Sequence, residues 1–174
     1  RQMCIRDRYL RLPKIGQVRL KQHRSVPSEY RLKSVTVSQT PSGKYYASIL
    51  FEYEDQVQEK ELQKFLGLDF SMHELYRDSN GKEPAYPGYY RNAEKKLARE
   101  QRKLSKMQKG SNNRNKQRLK VAKLHEKVSN QRKDFLHKQS RQIANAYDCI
   151  CIEDLDMKAM SRSLKFGKSV SDNG

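Results

Sequence analysis

Apolar and polar residues alternate with a period of two over roughly the first third of the chain, and recur every three to four residues over its second half. Between residues 15 and 60 the pattern predicts strands at "GQVRLKQH", "YRLKSVTVSQT" and "KYYASILFEYE". The last two are joined by "PSG". Val35 and Val37 fall on one face, as do Tyr45, Ala47, Ile49, Phe51 and Tyr53. A meander with one buried face is expected, part of a β-barrel over residues 9–60, with "DQVQEKEL" as a polar connector.

The next segment, residues 65–82, reads as a compact apolar strand "FLGLDF", a second strand "HELYRD", and a tight turn at Asn80-Gly81. The chain would return along a third strand over "KEPAYPG", where Pro84 and Pro87, which cannot donate to a ladder, point to an edge position or a loop. Residues 89–146 carry helical periodicity. Ala93, Leu97, Leu104 and Met107 form one stripe, and Val121, Leu124, Val128, Phe135 and Ile143 a second. "KGSNNRN" at 109–115 interrupts them, with Gly110 a helix stop, so two helices in an antiparallel hairpin are predicted. The apolar run "YDCICI", 147–152, reads as a closing central strand.

Charge adds a partner to this picture. The 174 residues hold 37 Lys+Arg against 20 Asp+Glu, a formal net charge of +17. Such an excess suits a polyanion, most often nucleic acid. Residues 89–146 alone hold 18 Lys/Arg and four Asp/Glu, a net of +14. The acids are too few for the mixed-sign i,i+4 pairing of an ordinary solvated helix. Phosphate contacts are therefore assigned to Lys95, Lys96, Arg99, Arg102, Lys103, Lys106, Lys109, Arg114, Lys116, Arg118, Lys120 and Lys123. No apolar run approaches the roughly 18 residues that span a bilayer, so no membrane partner is expected, and no small-molecule substrate is expected either. The three cysteines include no CxxC pair. Cys149 and Cys151 share a strand face and read as small buried hydrophobes in a reducing compartment. The four histidines, His73 included, show no metal-ligand spacing. Tyr45, Tyr46, Tyr89 and Tyr90 could stack on bases, with packing the favoured role.

Against this cationic background two acids stand out. Asp69 lies inside the apolar strand "LGLDF", and Glu153 ends "ICIED". A carboxylate among buried positions is costly unless paired or metal-bound. Two of them suggest a site for Mg²⁺ or Mn²⁺, which favour oxygen ligands, and a two-metal centre for phosphodiester cleavage. Each alone has a plainer explanation, and Asp154 and Asp156 read as helix caps. The order strand–Asp–hairpin, basic helices, strand–Glu is the logic of an RNase H-like nuclease core in an α/β fold.

The segments "GLDFSMHELYRDSNGK", "AEKKLAREQRKLSKMQKGSNNRNKQRLKVAKLHEKVSNQRKDFLHKQSRQI" and "YDCICIEDLDMKAM" closely resemble the OrfB/TnpB proteins of insertion sequences, which are RuvC-type, RNA-guided DNA endonucleases related to type V CRISPR effectors. The resemblance covers roughly residues 10–174, and is most specific at "KGSNNR" and "IEDL". It implies that Asp69 and Glu153 are two of three catalytic metal ligands, that 61–174 belongs to a RuvC domain with 89–146 as an inserted helical hairpin, and that 9–60 resembles part of the wedge barrel that helps hold the guide RNA. Guide RNA and target DNA are the implied partners, in the cytoplasm of a prokaryote and associated with its nucleoid. In relatives the third acid follows a CxxC…CxxC zinc ribbon, so zinc is expected only beyond residue 174, and Asp172 in "SVSDNG" is not taken as the third ligand.

Residues 1–8 are set apart: "QMCIRDR" matches the translation of a sequencing-library adapter end. The chain is expected to be a piece of a longer nuclease, cut at both ends and inactive alone. The alternatives are a non-catalytic nucleic-acid-binding fragment, a truncated transposition regulator, or, more weakly, a ribosomal or RNA-packaging protein.

Overall fold

The computed structural model describes residues 4–6, 9–23, 25–54, 61–71, 74–156 and 159. The chain divides into two compact units, Arg1–Glu59 and Lys60–Gly174. The fold is mixed α/β, with small sheets and two long helices. Among the described residues, no helix is long and apolar enough to cross a membrane.

The first unit holds five strands in two sheets. β1 (Cys4–Arg6), β2 (Tyr9–Leu12) and β3 (Gly16–Arg19) form an antiparallel sheet in that order. β1 falls within the adapter-like residues 1–8. β2 is a strand the hydrophobic pattern did not single out, although its alternation of Tyr9, Leu10, Arg11 and Leu12 buries Leu10 and Leu12. β4 (Arg31–Gln39) and β5 (Tyr45–Glu52) pair as a long ribbon, as predicted. Leu32 pairs with Phe51 and Ser34 with Leu50, so Lys33 is an extra residue. Leu32 and Val35 would point to opposite faces of a regular strand. The bulge returns both to the face of Phe51 and Ile49. Tyr30 then stacks on Tyr53 at 4.5 Å between ring centres.

In the second unit, β6 (Phe65–Phe70) lies between β7 (Tyr76–Asp78) and β8 (Cys149–Ile152), antiparallel to the first and parallel to the second. The turn after β7 closes as predicted at Asn80-Gly81. Asp78 Oδ1 accepts the Asn80 and Lys82 N–H groups at 2.9 and 2.8 Å, and Gly81 takes φ 79°. Two expectations fail here. "KEPAYPG" is not a strand: the Lys82 and Pro84 carbonyls reach back, accepting Asp78 N–H at 3.0 Å and Leu75 N–H at 3.4 Å, but the two prolines remove the donors a ladder needs. β8 is also not central; among the described residues it is the outer strand and β6 the central one.

α1 (Tyr89–Ser105) and α2 (Asn112–Ala146) form the predicted hairpin. Gly110 turns the chain at φ 84°, and Ser111 Oγ caps α2 by accepting Arg114 N–H at 3.2 Å. At 1.5 Å per residue α2 is about 50 Å long, twice α1. Leu97, Val121 and Val128 are buried between them, and Tyr86, Tyr89 and Phe135 meet edge-to-face at the foot of α1. Tyr89 therefore packs, as favoured, whereas Tyr45 and Tyr46 are exposed.

At the centre of this interface lies a charge. Glu100 is 1% exposed. Its carboxylate accepts a bond from Gln117 Nε2 at 2.8 Å and faces Lys120 at 3.1 Å, Arg99 at 3.4 Å and Lys103 at 3.7 Å. Gln117 and Lys120, opposing burial, hold the carboxyl well below its ordinary 4.5, at about 2. The folded-state value lies below that of the unfolded chain, so the carboxylate stabilises the hairpin at neutral pH and loses that effect as pH falls from about 4.5 through about 2. Thermal melts followed by circular dichroism are expected to show this acid-side decline in the wild type. Glu100→Gln is expected to melt lower at pH 7 and to lose part of the decline between those pH values. A variant as stable as wild type at pH 7 would contradict the assignment.

Candidate functional site

The residues singled out on the sheet come together through register. β6 and β8 pair as Phe65↔Cys149, Leu66↔Ile150, Gly67↔Cys151 and Leu68↔Ile152. The ladder ends there; continued one residue further, the same register would set Asp69 of β6 opposite Glu153, which directly follows β8. Strand alternation puts Leu66, Leu68 and Phe70 on one face, and Phe65, Gly67 and Asp69 on the other. Asp69 and Glu153 are both exposed. They end two neighbouring parallel strands, the edge where open α/β sheets commonly bind ligands. On its other side Asp69 pairs with Arg77 in the ladder, but the Arg77 guanidinium is engaged by Glu83.

A residue not singled out in the sequence sets this register. Asp148 Oδ2 accepts the backbone N–H groups of Gln63 and Lys64 at 3.3 and 3.0 Å. In return the Lys64 carbonyl accepts N–H from Asp148 at 2.9 Å and from Cys149 at 3.0 Å. Asp69 lies five residues after Lys64, and Glu153 five after Asp148, so the clasp at one end aligns the carboxylates at the other. Asn80 Nδ2 donates to Tyr147 Oη at 3.2 Å and ties the β7 turn to the start of β8. The signal in the sequence was an acid just before an apolar strand, which local reading cannot pair with Lys64, more than 80 residues away.

The cysteines depart from expectation. Cys149 is half-buried and Cys151 exposed, because β8 is an outer strand. The cap reading of Asp156 holds: its Oδ1 accepts Ala159 N–H at 2.9 Å. His73 and Asp172 lie outside the described residues. Among the described residues, no group of three or more His, Cys, Asp or Glu is arranged to hold a metal ion.

Of the hairpin cations proposed for phosphate contact, all but Arg114 are exposed. Arg114 is half-buried, with its Nε buried and without a hydrogen-bond partner. Arg99, Lys103 and Lys120 bond to Glu100 and still keep 65%, 55% and 56% of their side-chain surface exposed. Glu100 and Gln117 were missed because only apolar positions were sought. Their spacing was the signal: 93, 97, 100, 104 and 107 form one unbroken 4-3-4-3 stripe, and Gln117 sits four residues before Val121.

Residues 48–164 match the OrfB_IS605 family, described as "Probable transposase". The chain belongs to this family. Among curated OrfB relatives, it is 38% identical over 152 residues to the "Putative RNA-guided DNA endonuclease InsQ" of Escherichia coli (strain K12), covering 87% of this chain and 37% of that protein. It is 32% identical over 149 residues to the "Putative RNA-guided DNA endonuclease" of Streptomyces pristinaespiralis, covering 86% and 37%. The chain thus spans little more than a third of the length of these relatives. Asp69, Glu153 and the whole hairpin lie inside the OrfB match.

Hydrogen bonds to a charged group contribute roughly 1.5–3 kcal/mol each. Asp148→Ala is therefore expected to speed amide exchange at Gln63, Lys64 and Cys149 at least about tenfold, leaving Val121 and Val128 protected. Equal protection in both proteins would remove Asp148 as the register clasp.

Proposed function

We propose that this chain is the RuvC-type, RNase H-like part of an RNA-guided DNA endonuclease, preceded by part of a wedge module that holds guide RNA. The observation that supports the reading is the parallel pairing of β6 with β8, whose last pair, Leu68↔Ile152, lies one residue before Asp69 and Glu153. The names of the relatives support the substrate class.

Asp69 and Glu153 supply only oxygen donors, which suit Mg²⁺ or Mn²⁺. Such an ion, when bound, would activate water and stabilise a leaving phosphate oxygen, with the third carboxylate coming from outside the described residues. The chain's own cations do the rest. The exposed Lys and Arg of α1 and α2 draw in the phosphate backbone and hold it without reading sequence. Glu100 keeps Arg99, Lys103 and Lys120 in place while leaving their outer surfaces to solvent. Arg77, turned to Glu83, leaves Asp69 un-neutralised. Action on DNA implies a cytoplasmic, nucleoid-associated protein.

In the full-length protein with its RNA, Asp69→Ala and Glu153→Ala are each expected to lower target cleavage at least about a hundredfold while leaving RNA and DNA affinity unchanged. Cleavage that survives Glu153→Ala would sink the assignment. Replacing Lys95, Lys96, Lys106 and Lys116 by Gln should weaken DNA or RNA binding, and flatten the dependence of log K on log salt by about one for each phosphate no longer neutralised. An unchanged slope would take those four cations out of the interface.

A second reading is favoured by the exposed cations of the hairpin, which need no metal to hold phosphate. On it, the 174-residue chain alone binds nucleic acid through the hairpin without cutting. Metal-dependent cleavage by this chain would refute it.

A further inference from the structure

One sheet face of β8 carries a chemistry that phosphodiester cleavage does not use. Residues two apart on a strand share a face, so Cys149 and Cys151 stand together, with Glu153 the next position along the same line. Cys151 is exposed and Cys149 half-buried, so a small ion can reach both. Across the ladder from Cys151 lies Gly67. Among the described residues, a Cβ added there would meet Ser79 Cβ, at 3.7 Å. β8 is also the outer strand among the described residues, leaving the pair open from the side.

We propose that Cys149 and Cys151 form a two-thiolate clip for a soft divalent cation of the zinc or cadmium type, separate from the oxygen-donor edge of Asp69 and Glu153. Thiolates select such ions over Mg²⁺, which binds oxygen. Two Zn–S bonds of about 2.3 Å at a tetrahedral angle hold their sulfurs about 3.8 Å apart. Binding releases one proton from each thiol to solvent. Water fills the remaining positions. Partial burial and the neighbouring Cys151 push the Cys149 thiol above its usual range, a like-charge cost that a shared cation removes.

The test is a cadmium titration of the reduced chain, read by the ultraviolet thiolate-to-cadmium charge-transfer band and by native mass spectrometry. The chain has three cysteines, so Cys4→Ser leaves only the pair in question. That protein is expected to take up one cadmium per chain with a full band, which excess Mg²⁺ does not displace. Cys149→Ser and Cys151→Ser are each expected to lose the band, and Asp69→Asn to retain it. The clip is overturned if Cys4→Ser shows no stoichiometric uptake, if uptake needs two chains per ion, if Mg²⁺ displaces the cadmium, or if the band survives in Cys149→Ser. The Cys4→Ser result leaves the clip itself unaltered, so it decides the question even if a clip variant misfolds. None of these readouts depends on nuclease activity, so the clip and the proposed cleavage site can fail separately.

Discussion

The second unit depends on the parallel pairing of β6 and β8. Parallel neighbours cannot be joined by a tight turn, and the chain must cross over between them. Here the crossover includes the whole helical hairpin, residues 89–146, and the pairing is closed between residues more than 80 apart. Closing so long a loop costs entropy, though the cost grows only slowly with length. The larger hazard is register. A slip of one residue would send every β8 side chain to the opposite face, parting Glu153 from Asp69 and exchanging the cysteines for Ile150 and Ile152. Asp148 answers this at the first residue of the pairing. Its side chain and backbone, with the Cys149 N–H, make four hydrogen bonds to Gln63 and Lys64, a pattern that only one register satisfies.

The hairpin has a parallel problem and a parallel solution. Its interface is short of large apolar residues, and its surface is crowded with cations that repel one another. A buried carboxylate is weak evidence of stability in itself, since desolvation opposes it. Glu100 overcomes that cost by meeting Gln117 and Lys120 from α2 as well as Arg99 and Lys103 from its own helix. It bonds both helices at one level and so sets how they slide past each other. The edge-to-face cluster of Tyr86, Tyr89 and Phe135 does the same at the foot of α1 without charge.

Much of this could be read from the sequence where the signal is local. The ribbon β4–β5, the Asn80-Gly81 turn, and the break at Gly110 followed by the Ser111 cap rest on periods and turn chemistry within a few residues. The misreadings concern what lies across space. "CICI" looks like a doubly buried parallel strand, and would be one between two partners, but β8 has a described neighbour on one side only and leaves Cys151 and Ile152 exposed. "KEPAYPG" has the spacing of a strand without the donors of one. Glu100 and Gln117 complete apolar stripes with polar atoms, and a search for apolar residues passes over them. Asp69 and Glu153 could be picked out as residues, but their alignment rests on Asp148 and Lys64, whose relation is not local.

The distribution of acid in this strongly basic chain gains meaning when each carboxylate is sorted by what it does. Asp78 closes a turn, Asp148 clasps a strand, Asp156 caps, Glu83 holds Arg77, Asp134 pairs with Lys138, and Glu100 joins the helices. Asp69 and Glu153 hold none of these structural posts. Each lies one residue beyond the last pair of the β6–β8 ladder, both are exposed, and the ladder cation paired with Asp69, Arg77, is drawn away by Glu83. A chain carrying +17 could have neutralised both with a lysine at little cost. On the proposed reading, leaving the pair to solvent would keep a negative potential where a cation could enter, within a positive field that would draw in the phosphates such a cation acts on.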